Sequence, residues 1–260
     1  SYIDDVTISL APSCKKPSAL TADNETTTSA DLAWTAGGSE TAWKLQYKKA
    51  SASVWTVVDG TVTNPYTLTG LSMGTDYEFQ VKADCGSGEE SGWSKSGNFT
   101  TACTSMTLGT IYDFESDAKD ALPACWNGGN YVSSSYYDSY KENPSVVSGA
   151  IYNHTASGSK AMKMKLYSSY VKTWVAMPKL PDGVNINDLQ VSAFAYSTDG
   201  YSKSMLEVGV MNDPTNYSSF QRAGYITCES SNSGEVTVVD FSSLATVYNT
   251  NYRYIAFRAV

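Results

Sequence analysis

The sequence predicts an all-β protein built as two sandwiches, and three observations carry that expectation. Apolar residues alternate with polar ones in short runs separated by turn residues, the period of two that places one face of a strand in a core. No helical period survives a window of eleven residues. The composition favours pleated, half-exposed surface: 19 Tyr against 7 Phe, 42% hydrophobic and only 17% charged residues. At 260 residues there is room for about two domains. A net charge of −8 argues against nucleic acid or an anionic membrane as partner, since both require clustered cations. No run of eighteen apolar residues is present, so no membrane span is expected in this segment.

The first ten residues read as a strand: Val6, Ile8 and Leu10 alternate with Thr7 and Ser9, while Asp4 and Asp5 interrupt the pattern and suggest a bend, a bulge or a bound cation. From Cys14 a series of short strands follows at the spacing of a sandwich: 20–22, 29–35, 42–48, 55–58, 65–68, 76–83 and 97–100, with Gly37 and Gly38 as one turn. Residues 100–104 are short, polar and suited to a junction. Further strands are expected at 111–115, 121–126, 160–166, 174–178, 189–196, 206–211, 225–228, 236–241 and 252–260, with a polar, Tyr-rich loop over 131–140.

Within 16–83, the segments Lys-Pro-Ser-Ala-Leu-Thr-Ala, Ala33-Trp34-Thr35, Tyr66-Thr-Leu-Thr-Gly-Leu71 and Gly74-Thr-Asp-Tyr77-Glu-Phe-Gln-Val-Lys-Ala resemble a fibronectin type III domain. The resemblance implies a seven-strand sandwich without a catalytic centre, with Trp34 in the core. Leu71 followed by Tyr77 is similar to that family's tyrosine corner. In the second half, Asp-Phe-Glu115, Leu-Pro-Ala-Cys-Trp126, Met-Pro178-Lys-Leu, Leu-Glu-Val-Gly-Val-Met-Asn-Asp-Pro214 and Tyr-Ile-Ala-Phe-Arg258 resemble the MAM and cleaved-adhesin (choice-of-anchor J) jelly rolls of secreted and surface proteins of the Bacteroidetes. The expected domains are 1–13, the closing strand of a neighbouring jelly roll; 14–102, the fibronectin type III domain; and 103–260, a jelly roll lacking its last strand. The missing strand has the form Ile-Asp-Asp-Val-Thr, which stands at residues 3–7. That implies head-to-tail assembly, either of separate copies of the chain or of successive repeats joined covalently: Ile3, Val6, Ile8 and Leu10 of one unit beside Tyr254 and Ala256 of the next.

Of the five cysteines, Cys14 with Cys85 and Cys103 with Cys125 are the expected disulfides, which implies an extracellular location. The fibronectin topology brings Cys14 and Cys85 to one pole. For calcium, the second resemblance points to Glu115 with Asp4 and Asp5, because a hard cation needs several oxygen ligands; the alternative is that Glu115 is a solvated edge residue. Tyr131, Tyr136, Tyr137 and Tyr140 could form a platform for sugars, each ring offering a flat apolar face and a polar handle, or could pack on their own sandwich. Tyr167, Tyr170 and Tyr201 are similar. The only histidine, His154, would have to serve any Ser-His-Asp arrangement alone, and no carboxylate pair stands out for glycoside hydrolysis, so no enzyme is expected. Three functions fit: a non-enzymatic segment of a secreted or cell-surface adhesin that binds glycans or proteins, a structural repeat of an extracellular filament, or the carbohydrate-binding accessory region of a secreted hydrolase or peptidase.

Overall fold

The computed structural model describes Asp4 and residues 13–133, 135–148, 159–166, 170–195, 205–228, 236–244 and 251–259. These fall into two compact units, Ser1–Cys103 and Thr104–Val260.

In the first unit, β1 (Ser18–Asp23), β2 (Ser29–Thr35) and β5 (Tyr66–Thr69) form one sheet, ordered β1-β2-β5. The other sheet, ordered β4-β3-β6-β7, contains β3 (Ala42–Lys49), β4 (Thr56–Val57), β6 (Asp76–Asp84) and β7 (Gly97–Thr100). All seven expected strands are present. Their alternation is the cause of the core: Ala30, Leu32 and Trp34 from one sheet meet Trp43, Leu45, Tyr77, Phe79, Val81 and Ala83 from the other. Trp34 and Trp43 meet edge to face at 5.5 Å, and Tyr77 stacks on Phe99. The Tyr77 hydroxyl accepts from the Ser72 N–H at 2.9 Å, the hydrogen bond expected of a tyrosine corner. Cys14 and Cys85 form the expected disulfide across 71 residues.

The described residues of the second unit form nine strands: β8 (Asn127–Val132), β9 (Ser145–Ser148), β10 (Lys160–Lys163), β11 (Val171–Ala176), β12 (Gln190–Ala193), β13 (Met205–Met211), β14 (Gln221–Thr227), β15 (Thr237–Asp240) and β16 (Tyr254–Ala259). Five build a sheet of order β14-β13-β16-β11-β8; β9 pairs with β10, and β12 with β15. One face of the large sheet carries Val208, Val210, Ile226 and Ile255, covered by Val239 and Phe241 and by the half-buried Val191. Its other face carries Trp174, Ala176, Met211 and Ala256, and Phe220 packs on it.

Three expectations are corrected here. Residues 111–115 are not a strand, because the Asp113 side chain captures the Glu115 N–H at 3.1 Å and Phe114 turns to φ 62°. Residues 121–126 are a turn closed by Trp126 N–H to the Pro123 carbonyl, and pairing begins only at Asn127. Most consequentially, β16 has no open edge: Tyr254 faces Met211 of β13, and Ala256 faces Gly209 of β13 on one side and Ala176 of β11 on the other. β16 is therefore flanked by two strands of its own sheet, β13 and β11. The segment expected to fill that place, including Ile3, Val6, Ile8 and Leu10, lies outside the described residues, as do Asp5, His154, Tyr167 and Tyr201.

Candidate functional site

The large sheet of the second unit positions the site through its register. Alternation puts Tyr131, Trp174, Arg258, Glu207 and Tyr225 on one face, because Tyr131 pairs with Lys172, Trp174 with Arg258, Arg258 with Glu207 and Glu207 with Tyr225. Glu207 is buried. It accepts from Arg222 at 3.1 Å and from both the Nε and an Nη of Arg258, so its charge is shared by two guanidinium groups. Arg258 in turn lies against two rings, its Cζ 5.0 Å from the centroid of Tyr217 and 4.3 Å from that of Phe220. Tyr217 stacks on Tyr131 at 4.5 Å, with planes 13° apart. A continuous pile therefore runs Tyr131, Tyr217, Arg258, Phe220. Burial pushes the Tyr217 phenol above its ordinary value, partly opposed by the Arg258 charge.

The segment from Asp213 to Phe220 brings Tyr217 there. Asp213 caps it by accepting from the N–H and hydroxyl of Thr215, which holds the carboxyl below the usual range. The close fit of this segment needs Gly209, where a Cβ would stand 2.1 Å from the Gln221 carbonyl oxygen and 2.8 Å from the Phe220 ring.

A second group of rings lies one step along the same edge. The 3-10 turn Ser135–Tyr140 presents Tyr136, Tyr137 and Tyr140, and Tyr137 stacks on Tyr170 at 4.5 Å with planes only 7° apart. Tyr136 meets Tyr137 edge to face at 5.1 Å and is 79% exposed. Ser133 N–H donates to the Tyr170 carbonyl, which stands just ahead of β11. Tyr170 is thereby held beside the end of β8, where the turn of rings begins. The four tyrosines of the sequence platform are therefore divided: Tyr136, Tyr137 and Tyr140 join Tyr170, whereas Tyr131 joins Tyr217. Together they form a ledge along the β8 edge. Sequence reasoning missed Tyr217, Glu207, Arg222, Arg258 and Lys172. The signal available was a charge at alternate positions of two otherwise apolar strands, Leu-Glu207-Val and Phe-Arg258-Ala.

Glu115 stands in a different setting. Its Oε1 accepts from the N–H groups of Ser159 (2.7 Å) and Lys160 (2.6 Å), and the Lys160 ammonium donates back to the carbonyls of Glu115 (2.9 Å) and Asp117 (2.7 Å). The Lys160 ammonium thus occupies two of the backbone carbonyls at this corner. Asp4 is exposed. Among the described residues no three His, Cys, Asp or Glu side chains converge as metal ligands. Beside this corner Tyr112, Phe114 and Trp126 pack ring on ring, and burial together with the Asp117 charge raises the Tyr112 phenol strongly. Cys103 and Cys125 are both in disulfides, and Cys228 is a buried thiol outside them.

The fibronectin type III domain family matches residues 15–100. No curated protein matches the chain. Among solved structures, the chain is similar to the fn3 domain of human collagen α-1(XX), at 26% identity over 39% of this chain and 98% of that one, with a TM-score of 0.34. It is also similar to a structure described as a myokine, at 20% identity over 35% of this chain and 100% of that one, with a TM-score of 0.32. The FN5 domain of Drosophila Lar matches at 18% identity over 35% and 99% of the two chains, with a TM-score of 0.30. Residues 15–100 of this chain are a fibronectin type III domain.

Proposed function

We propose that this chain is a non-enzymatic binding segment of a secreted or cell-surface protein of the adhesin kind, in which the fibronectin type III domain is a spacer and the second unit binds glycans across its tyrosine ledge. The observation that supports this is the arrangement of the rings. Tyr136, Tyr137 and Tyr170 keep exposed surface while each is held by ring contacts, and Tyr131 is held in the same way by Tyr217. Rings fixed by stacking lose little conformational freedom when a ligand arrives, and an exposed aromatic group of this size marks an interaction surface. A pyranose presents a face of C–H groups to such a ring and its hydroxyls to the phenols, which suits Tyr better than Phe. The cystines and the fibronectin type III module, which is common in extracellular proteins, support the location.

The test is a glycan array probed with the whole chain and with a Tyr131→Ala/Tyr137→Ala variant. Binding by the wild type that the variant loses supports the reading. An array on which the wild type binds nothing, or on which the variant binds as well, overturns it and leaves a protein partner as the occupant of the ledge.

A further inference from the structure

The strands β8, β11, β13, β14 and β16 carry three cations, Lys172, Arg222 and Arg258, against one carboxylate, Glu207. The register places all four on the same face, the face that carries Tyr131. In a chain whose net charge is −8, that face is positive by two. Its two arginines are already engaged with Glu207. Lys172 is not: no carboxylate lies within ion-pair distance of it among the described residues. It sits directly opposite Tyr131 in the ladder, so the two side chains project side by side from the same face of the sheet. Arg222 gives one Nη to Glu207, rests on the Tyr225 ring at 4.6 Å, and keeps half of its side chain exposed. Other charges near the turn of rings are paired with one another, Asp138 with Lys141 at 2.8 Å, and Glu142 with both Lys163 and Lys165.

Resting on the glycan reading above, we infer that the ligand is an acidic sugar, with Lys172 as the group that meets its anion while Tyr131 and Tyr170 carry the ring faces. A neutral sugar would leave the ammonium without a partner in the bound state, where it is partly desolvated by the ligand. A carboxylate or sulfate on the sugar supplies that partner and gains a charge-assisted hydrogen bond. The long-range field of the face adds to the association rate and weakens as salt rises. Carboxylate and sulfate share the chemistry, and the experiment separates them.

Binding is measured by calorimetry to three probes of equal length: hexuronate oligosaccharides, their carboxyl-reduced neutral counterparts, and sulfated oligosaccharides. Wild type, Lys172→Met and Lys172→Arg are compared at two ionic strengths. The inference expects one of the acidic probes to bind about tenfold tighter than its neutral counterpart, a margin lost in Lys172→Met and kept in Lys172→Arg. The position is a partly exposed strand site, so both variants should melt with the wild type. Neutral and acidic probes binding equally to the wild type, or a margin that survives Lys172→Met, overturns the acidic ligand while leaving glycan binding in place. No binding by any probe overturns both.

Discussion

The two units put the same residue types to opposite uses. In the fibronectin type III domain Tyr77 is buried, stacked on Phe99 and tied by its hydroxyl to Ser72, and Trp34 and Trp43 fill the space between the sheets. In the second unit Tyr131, Tyr136, Tyr140 and Tyr170 remain exposed, and the charged groups Glu207 and Arg258 sit among aromatic rings. The difference teaches that aromatic content alone distinguishes neither core from site. What decides is whether a ring faces the space between two sheets, as Tyr77 and Phe99 do side by side, or lies on the surface. In the first unit the aromatic contacts are architecture; in the second they hold surface rings still.

That comparison can be broken in the first unit by removing its cross-link. Replacing Cys14 and Cys85 by Ser frees a 71-residue loop in the unfolded chain and should lower the stability of this unit by about 4 kcal/mol in denaturant melts. The transition of the second unit should stay in place. A shift of both transitions together would show that the units are not energetically separate. In the second unit the largest effect should come from Arg258→Met. It removes a guanidinium from a buried carboxylate and from between two rings, and should cost about 3 kcal/mol. Arg222→Met, whose side chain is half exposed, should cost under about 1 kcal/mol. Equal costs for the two arginines would mean that burial of Glu207 is not what gives Arg258 its importance. Tyr77→Phe keeps the ring and removes one hydrogen bond, so about 1 kcal/mol is expected, read as a small drop in the melting point of the first unit.

These sites differ in how legible they were. The tyrosine corner lies within seven residues, Leu71 to Tyr77, and its strands alternate cleanly, so a local pattern was enough. The pairing of Cys14 with Cys85 followed from the topology that the fibronectin type III resemblance implies. In the second unit, Glu207 and Arg258 are 51 residues apart and meet only because β13 and β16 pair in one particular register. The separation of Tyr131 from Tyr136 depended on β8, whose sequence Asn-Gly-Gly-Asn-Tyr-Val has poor strand formers in four of six positions. Gly128 is there for space: a Cβ would stand 2.8 Å from Pro144 and from the Trp174 carbonyl oxygen. Strand residues chosen for close approach carry no alternation to read. The neighbours of β16, β13 and β11, could not be assigned from sequence for a related reason.

The smallest expected effect is on acidification, and here the two units should behave alike. Glu90 lies between Lys44 and Lys82, and Glu142 between Lys163 and Lys165; in each case the hydrogen bonds from lysine hold the carboxyl below its ordinary value of 4.5. A folded value below the unfolded one means that the contribution is present above about pH 4.5 and is lost as pH falls through the folded value. Both ion pairs are solvated, so melting points followed from pH 7 to pH 3 should show only a shallow decline from them. Glu90→Gln and Glu142→Gln should each flatten that decline slightly, in its own unit alone.

The most direct test of the ledge pairs a stability measurement with a binding measurement on one variant, Tyr136→Ala/Tyr137→Ala. These rings contact one another and Tyr170 on the surface, so their removal should leave the second unit's melting point within about a degree or two of the wild type. Stacking platforms of this kind should instead set affinity, and calorimetry with the best glycan from the array should show at least a tenfold loss. Unchanged affinity, or a melting point that falls as far as it does for Arg258→Met, would place these tyrosines with the architecture and contradict the account.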